Sequence, residues 1–351
     1  MNKPNSGRVS FRLLMLLSIS SLYLAIVLSI SIGPMDISFI DSMFALLPDS
    51  LKPESTAAAH VSLIIQQIRL PRTLLAVSVG AILALCGAVM QGLFRNPLAD
   101  PGIIGVSAGA SLGAAMAIVL FGGLAEQYPN LLLFGTVPLF SFVGGSVTTF
   151  VIYRLGTSPN GTSVTMMLLA GVAISALAGS GLGLMNYFAD DQALRDLSLW
   201  TMGSLAGANL HSVMMVFIGL FILFTLFYRD ANKLNVLLLG EPEAKHMGIN
   251  VQSLKRRLIL LTAAGVGICV SVSGVIGFIG LIVPHLGRMM VGPNHRILLP
   301  LSMIIGALLL LIADIIARTV VAPLDMPVGI VTALIGSPFF IWLLIKQRGR
   351  L

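Results

Sequence analysis

The chain has 351 residues, of which 56% are apolar and only 10% are charged, and its formal net charge is +7. A soluble domain carries about 25% charged residues, so this composition excludes a soluble globular protein. The mean hydropathy of +0.97 is spread over the whole length, which is typical of a membrane protein with many spans.

Nine apolar runs are visible in the sequence, and each is long enough to approach or exceed one helical span. They cover residues 11–32, 70–92, 103–122, 131–153, 164–188, 210–228, 258–284, 297–320 and 328–345. The first run has Lys3, Arg8 and Arg12 before or at its start but is too long for a secretory signal, so it is predicted to be a retained helix. The sequence therefore predicts an all-α membrane protein.

The run at 258–284 is either one tilted span or a span followed by a short returning helix. Lysine and arginine in short loops stay on the cytoplasmic side, so their count distinguishes the two topologies. Ten spans with both termini inside place 16 of the 21 basic residues inside, whereas nine spans place 12 there. Ten spans are therefore predicted, including a short broken helix near 281–290.

Two glycine- and proline-containing breaks stand at similar places in the two halves. Gly87 and Pro97 are ten residues apart, as are Gly274 and Pro284. Such paired breaks indicate a transporter built from repeats. Small residues also recur at helical spacing, at 105, 109 and 113 and again at 179 and 183, which favours close helix packing within the chain or an oligomer interface.

The sequence offers little catalytic chemistry. The GVSAG motif around Ser107 resembles a nucleophile elbow, but it lies at the start of an apolar run. No P-loop is present, so ATP-driven work must come from another subunit. Asp314 comes nearest to an intramembrane carboxylate, and Arg318 four residues later is its expected partner. The lack of an unpaired intramembrane carboxylate makes a proton-coupled transporter a weaker hypothesis. Neither the cysteines, Cys86 and Cys269, nor the five histidines form a metal-site pattern.

Two polar features remain open in their interpretation. The inner segment 234–257 contains EPEAKHM, which is either a short surface helix or an ordinary loop. Arg69, Arg72 and Arg318 fall on the outer side against the positive-inside bias. They either snorkel to lipid headgroups or meet an acidic partner.

Seven segments in order resemble the permease subunit of type II ABC importers, which move ferric siderophores, heme and cobalamin. They are RLPRTLLAVSVGAILALCGAVMQGLFRNPLADPGIIGVSAGA (69–110), LLAGVAI (168–174), LNVLLLGEPEAKHMGI (234–249), GVIGFIGLIVPHLGR (274–288), HRILLPLS (295–302), ADIIAR (313–318) and PVGIVTALIGSPFFIWLL (327–344). The resemblance covers the chain from about Ile65 to Lys346 and implies a single permease domain over residues 1–351.

The resemblance further implies a homodimer in the bacterial inner membrane, with two cytoplasmic ATPase subunits that bind ATP and a periplasmic binding protein. It assigns site residues and implies neither catalysis nor a permanently bound cofactor. Those assigned are Arg69, Arg72 and Arg318 for binding-protein docking, Gly240, Glu241, Ala244 and Gly248 for ATPase coupling within a segment at about 239–254, and Asn96, Leu98, Ser163 and Thr165 for a cytoplasmic gate.

The transported substrate is suggested by the outer loop 189–205, which most resembles the heme branch. Arg195 in that loop suits a heme propionate, with Trp200 beside the path, although Arg195 could instead pair with Asp191 or Asp196. Ferric siderophore and cobalamin stay as alternatives for the cargo. A stand-alone secondary transporter and an intramembrane hydrolase are the alternatives from other classes.

Overall fold

The structure is a computed structural model that describes residues 10–47, 56–122, 135–158 and 161–348. These residues are mainly helical. The helices are α1 (Phe11–Ser31), α2 (Phe39–Phe44), α3 (Thr56–Leu63), α4 (Leu70–Leu93), α5 (Val106–Leu120), α6 (Thr136–Leu155), α7 (Val164–Phe188), α8 (Asp191–Thr201), α9 (Leu210–Leu237), α10 (Glu241–His246), α11 (Val251–Ser273), α12 (Ile279–Val291), α13 (His295–Thr319) and α14 (Val328–Arg348). A π-helix (Ile64–Arg69) precedes α4, a 3-10 helix (Pro101–Ile104) precedes α5, and a small antiparallel hairpin joins β1 (Thr157–Ser158) to β2 (Gly161–Thr162).

Seven helices in the described part of the chain are long and apolar enough to cross a membrane. They are α1, the continuous helix that ends as α4, α6, α7, α9, α11 and α13. Three shorter apolar helices, α5, α12 and α14, accompany them. The mainly helical architecture is therefore confirmed, and the ten spans stay a prediction.

Two helices extend beyond the predicted apolar runs, and one matches its run. The helix predicted to begin at Leu70 already begins at Thr56, because the π-helix continues α3 into α4. Helix α9 runs nine residues beyond its apolar run because Asp230 is buried and pairs with Lys233 at 3.1 Å and with Arg257. Helix α7 begins and ends at the predicted residues, with Ser163 as its N-cap.

Helix α4 occupies the middle of the bundle, with 21 of its 24 residues buried. It packs against α1, α9, α11, α12 and α13. Glycines bring these neighbours close, since a Cβ added at Gly80 would overlap the carbonyl oxygen of Gly306 in α13. Such contacts are the usual way in which helices associate where burial from water gives no driving force.

The break in the second half lies at residues 274–278, ahead of α12, and residues 281–290 form continuous helix rather than a broken one. Gly274 and Phe278 both have positive φ, at 65° and 68°, and end one helix and begin the next. Pro284 removes one backbone donor from α12, which leaves the Gly280 carbonyl without its helical partner. Gln91 Nε2 donates to that oxygen at 3.3 Å, so the helix continues through the proline.

The two glycine series have different surroundings. Gly109 and Gly113 in α5 lie against the backbone of α6, where an added Cβ would overlap the carbonyl oxygens of Gly144 and Phe140. These two positions serve packing within the chain. By contrast, no described atom lies within 4 Å of a Cβ built at 179 or 183 in α7.

Candidate functional site

Three arginines gather at one end of the bundle, which we call the arginine end. Arg69 closes the π-helix, and its guanidinium donates to three carbonyl oxygens at and just beyond the end of α1: Ile30 at 3.0 Å, Ser31 at 2.5 Å and Met35 at 2.6 Å. The C-terminal carbonyls of a helix lack helical partners and carry partial negative charge, which favours a cation there. Arg69 therefore holds the end of α1 against the start of α4.

Arg72 and Arg318 share the buried carboxylate of Asp314. Arg72 Nε donates to Asp314 Oδ1 at 2.9 Å, and Arg318 Nε lies 3.5 Å from Asp314 Oδ2. Arg72 Nη1 also reaches the exposed Asp325 at 3.2 Å. Two cations around one carboxylate make a buried cluster whose charges are partly balanced within the chain.

A hydroxyl pair completes this cluster. Arg318 Nη2 donates to Ser29 O at 2.7 Å and to Ser29 Oγ at 2.6 Å. Ser29 Oγ in turn lies 2.6 Å from Thr73 Oγ1. The cluster therefore joins α1, α4 and α13, three helices that are distant in sequence.

This arrangement answers part of what the sequence left open. The arginines do not extend to lipid; they are buried, at 3%, 6% and 2% exposure for Arg69, Arg72 and Arg318. The acidic partner of Arg72 and Arg318 lies in the chain itself, and the predicted pairing of Asp314 with Arg318 is present. The carbonyl partners of Arg69 were not predicted, because no sequence signal marks them.

Helix α8 carries the two predicted path residues. The sequence predicts a loop at 189–205, but the structure has a helix there, and Asp190 caps it by accepting from Ala193 N at 2.7 Å. Arg195 is exposed and makes no ion pair within the described residues, either with Asp191 or with Asp196, and Asp196 accepts from Gln192 Nε2 at 3.0 Å. Trp200 is half-buried and packs against the core, and no cation–π contact joins it to Arg195 in the described part of the chain.

The opposite end of the bundle contains α10 and the hairpin β1–β2, and we call it the hairpin end. The EPEAKHM stretch forms the short helix α10 rather than an ordinary loop. Gly240 has φ of 141° and Gly248 has φ of 79°, conformations that glycine adopts at little cost. Of the residues between them, Ala244 is fully buried, whereas Glu243 is exposed.

Helix α10 and the hairpin are both tied to the first turns of α11. Lys255 Nζ donates to Glu241 Oε1 at 2.6 Å and to Thr162 O at 3.2 Å. Gln252 Oε1 accepts from Thr162 N at 2.9 Å. Sequence reasoning missed both side chains, because neither stands out in the sequence.

The predicted gate residues lie in two segments. Asn96 follows α4 and accepts from Leu98 N at 2.9 Å, while Ser163 caps α7 and Thr165 is exposed in its first turn. In the described ranges no hydrogen bond joins the 96–98 segment to the 163–165 segment, although the intervening 3-10 helix packs against α7.

Asp100 follows the first gate segment and accepts from Gly102 N at 2.6 Å, which caps the 3-10 helix. Burial raises the pKa of the Asp100 carboxyl above its ordinary value, and the hydrogen bond from Gly102 lowers it in part. This is the usual response of a carboxyl that is removed from water. Its role here is to hold the turn that brings Pro101 against Gly280 of α12.

The alternatives from enzyme chemistry find no support in the local geometry. Ser107 lies in the first turn of α5 after a 3-10 helix, whereas a nucleophile elbow needs a preceding strand. Within the described ranges, no three His, Cys, Asp or Glu side chains come together as metal ligands would.

Known proteins resemble this chain along most of its length. It is 48% identical over 281 residues to the hemin transport system permease protein HmuU of Yersinia pestis, covering 80% of this chain and 83% of that protein. It is 40% identical over 287 residues to the cobalamin import system permease protein BtuC of Halobacterium salinarum, covering 82% and 74%. With the vitamin B12 import system permease protein BtuC of Klebsiella pneumoniae it shares 39% over 300 residues, covering 86% and 88%.

The fold also matches a solved transporter. A metal-chelate type ABC transporter in an inward-facing conformation superposes with a TM-score of 0.81 at 33% identity, covering 95% of this chain and 99% of that chain. Residues 21–346 match the FecCD transport family. The helical architecture, the relatives and the family match agree, and the chain belongs to the FecCD family of ABC transport permeases.

Proposed function

We propose that this chain is the permease subunit of an ATP-driven importer that moves heme across the bacterial inner membrane. Members of its family are transport permeases and not catalytic subunits. The observation that carries heme as cargo is the higher identity to a hemin permease, 48%, than to cobalamin permeases at 40% and 39%. Exposed Arg195, without an ion-pair partner in the described residues, is available to a propionate.

The proposed topology has ten spans and cytoplasmic termini. The seven long helices and the three short apolar ones together supply ten crossings. Helix α1 ends at the arginine end, beside Arg69 and Arg318, so its first residue lies toward the hairpin end. Ten crossings return the chain to that end, which carries most of the basic residues and is therefore proposed to face the cytoplasm.

The topology can be tested by labelling introduced cysteines. Met35→Cys and Glu243→Cys place exposed thiols at the arginine and hairpin ends, whereas the native Cys86 and Cys269 are fully buried. In intact spheroplasts, a membrane-impermeant maleimide should label position 35 and should reach 243 only after the membrane is opened. The unmodified chain, which should not react, is the control. Labelling of both positions from one side would contradict the topology.

The proposed assembly is a homodimer of single-domain permeases with two ATPase subunits and a binding protein. Helix α7 supports the dimer, because only three of its 25 residues are buried, and positions 179 and 183 adjoin open space. The ATPase would engage α10 at the hairpin end, with Gly240 and Gly248 bounding the coupling segment. The ATP is expected on that partner.

Docking of the binding protein on Arg69, Arg72 and Arg318 stays a proposal with an added requirement. Each guanidinium already has acceptors in the chain and is almost fully buried, so a docking carboxylate would have to reach a group that is already paired. Arg72 has the most accessible acceptor, since the side chain of Asp325 is 44% exposed. The binding protein would therefore compete with Asp325 for Arg72.

The gate and path residues belong to the same proposal. Asn96 and Leu98 with Ser163 and Thr165 would close the cytoplasmic side, and Arg195 and Trp200 would lie beside the incoming cargo. Ferric siderophore and cobalamin are the alternative cargoes, and the similarity to BtuC proteins favours cobalamin between these two.

The cargo can be tested in liposomes that hold the permease with its ATPase and receive loaded binding protein. We expect hemin to accumulate only with ATP and with the binding protein present, and excess cyanocobalamin not to compete. Omission of the binding protein is the matched control. ATP-dependent accumulation of cobalamin or of a ferric siderophore without hemin uptake would reject heme while leaving the importer class intact.

A further inference from the structure

Lys255 is a buried lysine whose ammonium group contacts two separate segments at the hairpin end. Its side chain is 4% exposed, and its Nζ lies 2.6 Å from Glu241 Oε1 and 3.2 Å from Thr162 O. Glu241 begins α10, and Thr162 ends the hairpin before α7. A lysine withdrawn from water needs such acceptors, because an unpaired buried charge is costly.

Both backbone polar groups of Thr162 are hydrogen-bonded to side chains of α11. Its carbonyl oxygen accepts from Lys255, and its N–H donates to Gln252 Oε1 at 2.9 Å, one turn earlier in α11. The next residue, Ser163, caps α7 through Met166 N at 3.4 Å. A displacement at Lys255 therefore reaches the first turn of α7 through a single residue.

Helix α10 is held to α11 as well. Ala244 is fully buried, and its carbonyl oxygen accepts from Ile249 N at 3.0 Å in the turn that leads to α11. Glu241 is the acidic side chain of α10 that reaches Lys255, whereas Glu243 is exposed. Charge-assisted hydrogen bonds tolerate only small changes in length, so α10 and the hairpin cannot separate without breaking one of the two bonds to Lys255.

We propose that Lys255 is a positioning residue that transmits displacement of α10 to the hairpin and to the first turn of α7. The proposal rests on the proposed function, in which the ATPase moves α10 and the start of α7 forms part of the gate. A purely structural lysine would stabilise α11 equally but would leave the start of α7 independent of α10.

The test uses Met166→Cys, in the first turn of α7 and outside the proposed gate residues, as a reporter in the permease assembled with its ATPase in liposomes. Met166 is exposed, and the native cysteines are fully buried, so only the reporter reacts with a maleimide. The labelling rate at 166 is measured with and without ATP, together with ATPase rate and hemin uptake. The background chain should show an ATP-dependent change in labelling.

Lys255→Met should retain ATP hydrolysis but lose that labelling change, and hemin uptake should fall about tenfold, since charge-assisted bonds are the stronger ones. Lys255→Arg, which can still donate to both acceptors, should restore both signals. The control is Arg256→Met, which removes the neighbouring exposed cation of α11 and should behave as the background chain. An unchanged ATP-dependent labelling in Lys255→Met would overturn the proposal.

A second variant tests the link through Lys255 if Lys255→Met fails to fold. Glu241→Gln removes the charge at a partly exposed position and should weaken the labelling change without preventing assembly. If its labelling response equals that of the background chain, the link through Lys255 is rejected. Failure of the background chain itself to take up hemin or to respond to ATP would instead count against the proposed function.

Discussion

Replacing Asp314 with alanine should lower the free energy of unfolding by about 3–5 kcal/mol, because it leaves two buried guanidinium groups without their shared carboxylate. Asp314 is fully buried and lies 2.9 Å from Arg72 Nε and 3.5 Å from Arg318 Nε. The loss should appear as a lower denaturation midpoint of the purified permease in detergent. The expected effect is large because a charge that loses its partner is costly in surroundings of low polarity.

Asp325→Ala is the matched control for that experiment. It removes the other carboxylate of Arg72, but the Asp325 side chain is 44% exposed and the pair is partly solvated. Exposed ion pairs contribute about 0–1 kcal/mol, so the midpoint should move little. Equal falls of the denaturation midpoint in the two variants would show that burial does not determine how much each carboxylate stabilises the permease.

Gly87→Val should prevent correct packing of the bundle. A Cβ at position 87 would overlap the carbonyl oxygen of Gly280 in α12, and backbone cannot yield as a flexible side chain does. Overpacking of a core costs about 1–3 kcal/mol, and a backbone clash in the most buried helix should reach at least the upper value. The measurement is the yield of monodisperse permease by size-exclusion chromatography, followed by its denaturation midpoint.

Gly219→Ala provides the comparison. Gly219 is also a buried helical glycine, but among the described atoms an added Cβ would meet only Ile268 Cδ1 at 3.4 Å, an ordinary contact. Alanine is favoured over glycine in a helix by about 1 kcal/mol, so stability should be unchanged or raised. A normal yield of Gly87→Val would mean that α4 and α12 can move apart at this crossing.

The helices were predictable from the sequence wherever apolar runs ended at polar residues with ordinary local roles. Helix α7 matches its predicted bounds because Ser163 caps it and Ala189 follows it in extended conformation. The break before α12 was located too late, because Pro284 is the visible signal while the chain turns at Gly274 and Phe278. The proline is accommodated by Gln91, whose bond to Gly280 O joins residues 189 positions apart and is revealed by no local pattern.

The sequence indicated which polar residues form the sites better than it indicated which groups they contact. The count of charges in the loops drew attention to the three arginines of the arginine end, and the spacing of Asp314 and Arg318 indicated their pairing. What a sequence does not contain is which backbone oxygens come within reach once helices pack, as for Arg69. Lys255 was absent from the predicted sites for the same reason, since its two acceptors belong to segments 14 and 93 residues away.

The position of α4 has a consequence for the size of anything that this subunit transports. With that helix in the middle of the bundle, the cavity beside Leu83 and Val266 measures about 20 Å³, little more than the space for one water molecule. A crevice of that size does not admit a tetrapyrrole or a corrinoid. The proposed cargo must therefore cross along another surface of the subunit, and the proposed homodimer would supply a second wall for that route.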